Sequence, residues 1–282
     1  MDFSIFKNKY RISGNLEVMT ALHIGSGVEE NGIDAPFITI DGDSKNKNFY
    51  IPGSSFRGYL STKLERLLVK ENGFKFIDKE TVEELNEADV KLIFGYTNLL
   101  KKENKKFVEE KRIIKRVLEE FLDKESIERV LNDENEKDNK DFEEAKKYSS
   151  MAGRVHISDM LIISDVDSIK RDGIKIDRNT GATKDGAKFD YNIIPLGAKF
   201  KFEMELDNVE EYQLDLIKLA LKDILDEDLF GGKLSRGIGK CKLNIEKIEF
   251  ADRNNIQDYL FKKSMKTKDI KEIFEIKNLI LK

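Results

Sequence analysis

Cysteine is nearly absent: one residue, Cys241, in a chain of 282. A single thiol excludes an internal disulfide framework and any multi-cysteine zinc site, and makes a cytoplasmic setting the default expectation. Tryptophan is missing and proline occurs three times, so the chain is neither membrane-belted nor proline-linked. No apolar run approaches the roughly 20 residues that a bilayer span needs. The first residues, MDFSIFKNKYRISG, carry no hydrophobic signal core. An excess of one charge sign is also lacking: 50 basic residues face 54 acidic ones, a formal net charge of -4. That balance excludes a uniformly basic nucleic-acid binder but leaves room for a local basic face. What abounds is charge itself. At 37% charged and 39% hydrophobic, a core is attainable beneath a densely charged surface.

Four segments alternate as strands do. Lys9 to Val18 places Tyr10, Ile12, Leu16 and Val18 on one face. Arg154 to Ser164 alternates at Val155 and Ile157 and then runs apolar. Ala198 to Leu206 sets Phe200, Phe202, Met204 and Leu206 against Lys199, Lys201, Glu203 and Glu205. Lys240 to Phe250 has Cys241, Leu243 and Ile245 in phase, then Ile248 and Phe250. Two amphipathic helices lie between them. Ser54 or Ser55 is expected to cap the first, with the stripe Phe56, Leu60, Leu64, Leu67 and Leu68 and a stop at Asn72-Gly73. The second covers about Val209 to Asp226, with Leu214, Ile217, Leu221 and Leu225 inward. Strand, helix, strand, strand, helix, strand predicts an α+β, ferredoxin-like (RRM-like) βαββαβ core, which by itself fixes no function.

Three inserts interrupt this order. Gly25 to Ile51 reads as a loop with a short strand near Pro36 to Ile40. Gly73 to Tyr148 reads as polar helices. Between Lys101 and Lys147 there are 14 basic and 15 acidic residues, which suits solvated helices laced by i,i+4 pairs, with a loop from Asn132 to Asp141. Ile169 to Pro195 suits a projecting hairpin. The tail after Asp252 ends in Ile270, Ile273, Phe274, Ile276 and Ile280, the pattern of a docked helix.

Four short stretches can carry chemistry. GGKLSRGIG places Gly231, Gly232, Gly237 and Gly239 around Lys233 and Arg236, between a helix and the last strand. Open backbone N–H groups with two cations suit a phosphate cradle, and equally a loop that merely turns tightly. Its position before a strand and the absence of G-K-[ST] exclude the Rossmann and Walker loops. Ser54, Ser55 and Arg57 stand at a helix start, where an anion can dock or a simple cap can form. His23 suits RNA contact, acid–base work or a packed strand end. His156, within an apolar strand, reads as structural or surface. Asp34, in a loop, suits a divalent cation, a ribose hydroxyl or a turn. No HExxH, CxxC, GxSxG or EF-hand pattern occurs.

In register, LHIGSG (22 to 27), GIDAPFI (32 to 38), IPGSSFRGYL (51 to 60), LIFG (92 to 95), GRVHISDM (153 to 160), IDRNTGATKDGAKFDYNIIPLGAKF (176 to 200) and GGKLSRGIGKCKL (231 to 243) resemble the RAMP superfamily of CRISPR-associated proteins. More narrowly they resemble the backbone subunit of type III (Csm- and Cmr-like) effector complexes. The resemblance runs from about residue 10 to 250 and leaves the 73 to 148 insert and the tail uncovered.

The resemblance implies a hand. The first half of a ferredoxin-like palm with the Asp34 loop is expected over 1-72, and a charged helical insert over 73-150. A palm strand follows over 151-168, a thumb hairpin over 169-196, the second palm half with the Gly-rich loop over 197-251 and a helical tail over 252-282. It further implies copies stacked along a guide RNA (crRNA), with other effector subunits and no membrane, and a thumb that splays the guide–target duplex. Asp34 would cleave bound target RNA with a divalent metal, Mg²⁺ or Mn²⁺, assisted by Glu29, Glu30 or Asp41. His23, Ser54, Ser55, Arg57, Gly231, Gly232, Lys233, Arg236, Gly237 and Gly239 are then expected at the guide backbone. Lys184, Phe189 and Tyr191 are the expected thumb contacts. Three alternatives stay open: a non-catalytic RNA-binding subunit, a metal-independent guide-precursor endonuclease, and an unrelated ferredoxin-like interaction module.

Overall fold

The computed structural model describes residues 5–29, 32–40, 48–69, 74–78, 81–103, 106–132, 140–177, 180–276 and 278–281. In chain order, β1 (Asn8–Val18) leads to α1 (Gly53–Leu67). A small hairpin follows, β2 (Phe74–Asp78) and β3 (Thr81–Leu85). Next come four short helices, α2 (Glu87–Phe94), α3 (Lys111–Leu118), α4 (Lys124–Asn132) and α5 (Lys140–Lys146). Then come β4 (Val155–Ile157), a long hairpin of β5 (Ile169–Ile176) and β6 (Thr183–Pro195), β7 (Lys199–Asp207), α6 (Glu211–Asp226) and β8 (Lys240–Asp252). The tail carries α7 (Ile256–Lys262) and α8 (Ile270–Phe274).

The central sheet has the order β4-β7-β1-β8, every pair antiparallel, with Asp228–Leu229 on the far edge. Alternation decides which face is dry. Phe200, Phe202, Met204 and Leu206 of β7 are all fully buried, as are Leu16 of β1 and Cys241 of β8. Burial drives the Cys241 thiol up to about 12, so this lone cysteine is an inert core residue. Each such aromatic or aliphatic side chain contributes about 1.5–3 kcal/mol by leaving water. The opposite face is wet, and its charges are paired: Arg11 with Glu205 at 3.0 Å, Lys201 with Glu203 at 2.8 Å.

On the dry face, α1 buries Phe56, Leu60 and Leu64, and α6 buries Leu216, Ile217, Ala220, Leu221 and Ile224. The second stripe is therefore rotated from the expected one, since Leu214 and Leu225 only flank the core. Neither serine caps α1. Its N-cap is Pro52, and the chain enters at Gly53, where a Cβ would lie 2.1 Å from the Ile157 carbonyl oxygen. The start of α1 is thus pressed against β4, and only glycine admits that approach. The helix ends at Leu68; the expected stop at 72 and 73 lies outside the described residues.

Other expectations need correction. The strand read from Arg154 to Ser164 is split. Val155–Ile157 joins the central sheet, whereas Met160–Leu161 leaves to pair with Tyr50–Ile51. Pro36 to Ile40 forms no strand, only isolated bridges such as Phe37 with Gly25 and Thr39 with Phe49. The tail helix is five residues long, and Leu279–Leu281 beyond it is a strand paired with β2.

The charged insert is more than solvated helices. It opens with the β2–β3 hairpin, and its helices enclose their own core of Leu92, Ile114, Val117, Leu118, Ile127, Val130 and Phe142. Asp89 is fully buried beside it, 2.9 Å from Arg116. Burial pushes this carboxyl up to about 6, with the Arg116 cation opposing. Most of the expected loop, 133 to 139, lies outside the described residues. Among the described residues no helix is long and apolar enough to cross a membrane.

Candidate nucleic-acid interface

The Gly-rich loop is anchored from beneath by His23. Leaving β8's edge at Phe230, the chain turns through Gly231 at φ 95°, Lys233 at 58°, a short 3-10 turn (Leu234–Arg236), Gly237 at 75° and Gly239 at 100°. The N–H of Gly232 donates to the His23 carbonyl at 2.8 Å, and a Cβ on Gly231 would sit 2.8 Å from that same oxygen. Both the left-handed backbone and the close approach demand glycine at 231. The His23 side chain is buried, and its Nδ1 lies 2.7 Å from the Asn192 carbonyl on β6. That partner can only accept, so Nδ1 donates in the neutral ring. His23 therefore pins the loop to the base of the hairpin.

Burial lowers the His23 pKa. The Asn192 carbonyl opposes this, while the cations Lys233 and Arg236 add to it. A depressed histidine is neutral when folded and takes a proton only on unfolding. Its contribution to stability is complete above the unfolded value, about 6.5, and shrinks as pH falls below it. We expect the loss of urea stability between pH 7.5 and pH 5.5 to be smaller in His23→Gln than in the native chain. Equal losses in both would show that His23 is not held neutral.

Two aromatic rings on β6 meet the loop's cations. Lys233 Nζ lies 4.7 Å from the Tyr191 ring centre, and the Arg236 guanidinium 4.5 Å from that of Phe189. The rings are stacked on each other at 6.3 Å, and His23 meets Tyr191 edge-on at 5.6 Å. Neither cation has an acidic partner among the described residues. Each lays its charged head over an aromatic face, a contact that attracts the charge without neutralising it.

Asp34 arrives at the same place from the other side. It is exposed, and its loop runs alongside β6, Ala35 bridging Tyr191 in parallel. Asp34 Oδ2 accepts from the Asp190 N–H at 2.8 Å, and the Asp34 N–H donates to Asp190 Oδ1 at 2.9 Å. Asp34 Oδ1 has no partner among the described residues. Asp34, Tyr191, Lys233 and Arg236 thus share one patch, with Tyr191 as the common neighbour.

Other expected residues fall elsewhere. Ser55 lines an open groove of about 820 Å³ between α1 and the Gly-rich loop, with Gly58, Tyr59, Thr62, Lys63, Arg66, Gly231 and Gly232. Ser54 is exposed at the start of α1 but is not part of that lining. Arg57 is not there either: its guanidinium lies over the Phe94 ring of α2, 5.7 Å from the centre. The groove is of mixed charge, because Lys63 is held by Asp223 and Asp228, and Tyr59 also donates to Asp228. Sequence reading missed this Tyr59–Lys63–Asp228 network, although 59 and 63 share the face of 55, four residues apart. The backbone of Lys184 lies in β6, but its side chain is outside the described residues, as are residues 30 and 41; Glu29 is exposed. His156 is exposed on β4, 3.5 Å from Asp207.

A preformed metal cage is not part of this patch. Among the described residues no group of three His, Cys, Asp or Glu side chains could hold an ion. The Asp190 carboxylate is already occupied by Lys170 at 2.6 Å and by the Asp34 N–H. The donor set therefore fits a hard cation carried chiefly by substrate phosphates and one carboxylate oxygen, a common arrangement for Mg²⁺.

The comparisons with known proteins agree with one another. A family model described as the RAMP superfamily matches residues 15–242. The chain is 27% identical over 244 residues to the CRISPR system Cms endoribonuclease Csm3 of Enterococcus italicus, covering 86% of this chain and 92% of that protein. It is 28% identical over 249 residues to the protein of the same description from Methanocaldococcus jannaschii, covering 86% of this chain and 81% of that protein.

Proposed function

The chain belongs to the RAMP superfamily, and from that premise we propose that it is a guide-RNA-binding backbone subunit of a type III CRISPR effector that cuts RNA paired to the guide. The observation that carries this reading is the patch around Tyr191. Two cations with no acidic partner among the described residues, a tightly turned glycine loop and one exposed carboxylate meet at the foot of a long hairpin. The description of both relatives as endoribonucleases supports it.

We read the central sheet as the ferredoxin-like palm. The order β4-β7-β1-β8, with α1 after the first strand and α6 after the third, supports a split βαβ arrangement. The hairpin of β5 and β6 is the thumb. A guide of any sequence must be held by phosphates and riboses, which suits Lys233, Arg236, Ser54 and Ser55. The Gly-rich loop serves by shape rather than as the expected N–H cradle, since the N–H groups of Gly232, Gly237 and Gly239 donate to the His23, Leu234 and Ala21 carbonyls. Arg57 would meet RNA on the α2 side. Copies of the chain would follow one another along the guide, beside other effector subunits.

Cutting requires the target 2′-oxygen to lose its proton and attack the adjacent phosphorus in line, while the 5′-oxygen departs and gains one. The chain contributes a splayed nucleotide, through the thumb, and the placed carboxylate of Asp34. A divalent ion, Mg²⁺ or Mn²⁺, held by Asp34 Oδ1 and the target phosphates, would supply charge stabilisation. Processing of a guide precursor by histidine is the poorer reading, because His23 is buried with Nδ1 committed to Asn192.

Two results test this. A complex purified from its host is expected to carry RNA of uniform length with a shared 5′ segment; RNA of random length, or none, would overturn the guide reading. A chelator is expected to stop cutting of a guide-matched RNA without releasing the guide. Undiminished cutting would refute the metal.

A further inference from the structure

The hairpin does more than project: one of its strands, β6, holds the Asp34 loop along its edge. Besides the reciprocal bonds between Asp34 and Asp190, the Ala35 N–H donates to the Asp190 carbonyl and the Asn192 N–H to the Ala35 carbonyl, each at 3.1 Å. Four hydrogen bonds thus fasten an exposed loop residue to a strand 156 residues later in the chain. The two bonds of Ala35, to residues on either side of Tyr191, are those of a parallel strand pair.

The side chain of Asp190 is the unusual member. Lys170 Nζ, on the neighbouring strand β5, sits 2.6 Å from Asp190 Oδ2, leaving Oδ1 for the Asp34 N–H. Lys170 thus fixes the rotamer of Asp190. Asp190 in turn fixes the backbone of Asp34, and its own N–H holds Asp34 Oδ2. Asp34 Oδ1 is left without a partner among the described residues.

We infer that Asp190, oriented by Lys170, is a positioning residue that aims the Asp34 carboxylate at the target strand. This rests on the reading of Asp34 as the cutting residue. The thumb is then one lever with two ends: its reach splays the duplex and its foot sets the carboxylate.

The test uses the assembled complex with guide, measuring single-turnover cutting at saturating target, target affinity, and amide hydrogen exchange of the segment around Asp34 and Ala35. In Asp190→Ala we expect target affinity within about twofold of native, cutting slowed about 10²-fold, the scale of a small misplacement of a reacting group, and faster exchange at 34 and 35. Asp190→Asn, which still offers Oδ1 to the Asp34 N–H but turns its NH2 toward Lys170, is expected to recover part of the slow exchange and of the rate. Lys170→Met, which loses the same orienting contact, should give a similar intermediate result. Native cutting in Asp190→Ala, with Asp34→Asn inactive, would overturn the inference and leave the Asp34 reading standing. Native cutting in Asp34→Asn would overturn that reading itself. Equal loss in Asp190→Ala and Asp190→Asn with exchange unchanged would make Asp190 a direct participant and overturn positioning. Loss of target binding together with cutting would reduce Asp190 to a structural support of the hairpin, again against the inference.

Discussion

Asp34→Asn is expected to slow cutting of a guide-matched RNA by about 10²–10³-fold, the range for losing one preplaced electrostatic group, while guide and target stay bound. The choice of asparagine is dictated by the geometry. Its amide oxygen can still accept from the Asp190 N–H, now 2.8 Å from Asp34 Oδ2, and the Asp34 backbone bond to Asp190 Oδ1 is untouched. The loop therefore keeps its place, and only the charge is removed. Asp34→Ala removes the charge and one anchor together, so it should cut no faster than Asp34→Asn and should also loosen the loop. Single-turnover cleavage of labelled RNA checks the rate, and native gel shift checks retention. A complex of Asp34→Asn that cuts at the native rate would leave the chain a purely structural subunit, with Asp34 a turn residue fastened to the thumb.

Much of the central sheet is legible in the sequence because each of its long strands has one dry and one wet face. Phe200, Phe202, Met204 and Leu206 alternate with charges through β7 and all four are buried. Where this logic fails, the reason is physical. In α3 the buried pairs Ile113-Ile114 and Val117-Leu118 are separated by Lys115 and Arg116, so charge density hides a helix-period core. The strand at 154 to 164 reads as continuous because hydropathy carries no trace of the chain changing partners near Ser158 and Asp159. Arg57 was expected beside Lys233 and Arg236, yet residues 55, 59, 62, 63 and 66 define the groove face of α1 by their spacing, and 57 lies off that face. Asp190 could not be read at all. Its role depends on a neighbour 156 residues away, and nothing local distinguishes it from the other acids of the hairpin.

Lys233→Met combined with Arg236→Met is expected to weaken guide binding roughly tenfold at physiological salt, and to reduce the slope of log affinity against log salt by about 1.4, at about 0.7 per single-strand phosphate contact. These two cations are chosen over others nearby because of their partners. Lys63, in the adjacent groove, is held between Asp223 and Asp228 and has little charge to spare. Lys233 and Arg236 instead lay their charged heads over the rings of Tyr191 and Phe189, which attract the charge without neutralising it. Methionine keeps an apolar stem on the same rings, so the loop should stay folded, at a cost near the 0.5–1 kcal/mol of an exposed cation–π contact. Because the contact is to phosphate, the loss should be the same for guides of unrelated sequence. Filter binding of two such guides across a salt series measures both quantities. An unchanged slope would remove these cations from the RNA path. A loss confined to one guide sequence would mean that the loop reads bases, which a subunit serving many guides cannot do. Only a uniform loss with a shallower slope fits the proposal that a chain of net charge -4 binds an anionic strand through a local pair of cations that have no acidic partner among the described residues.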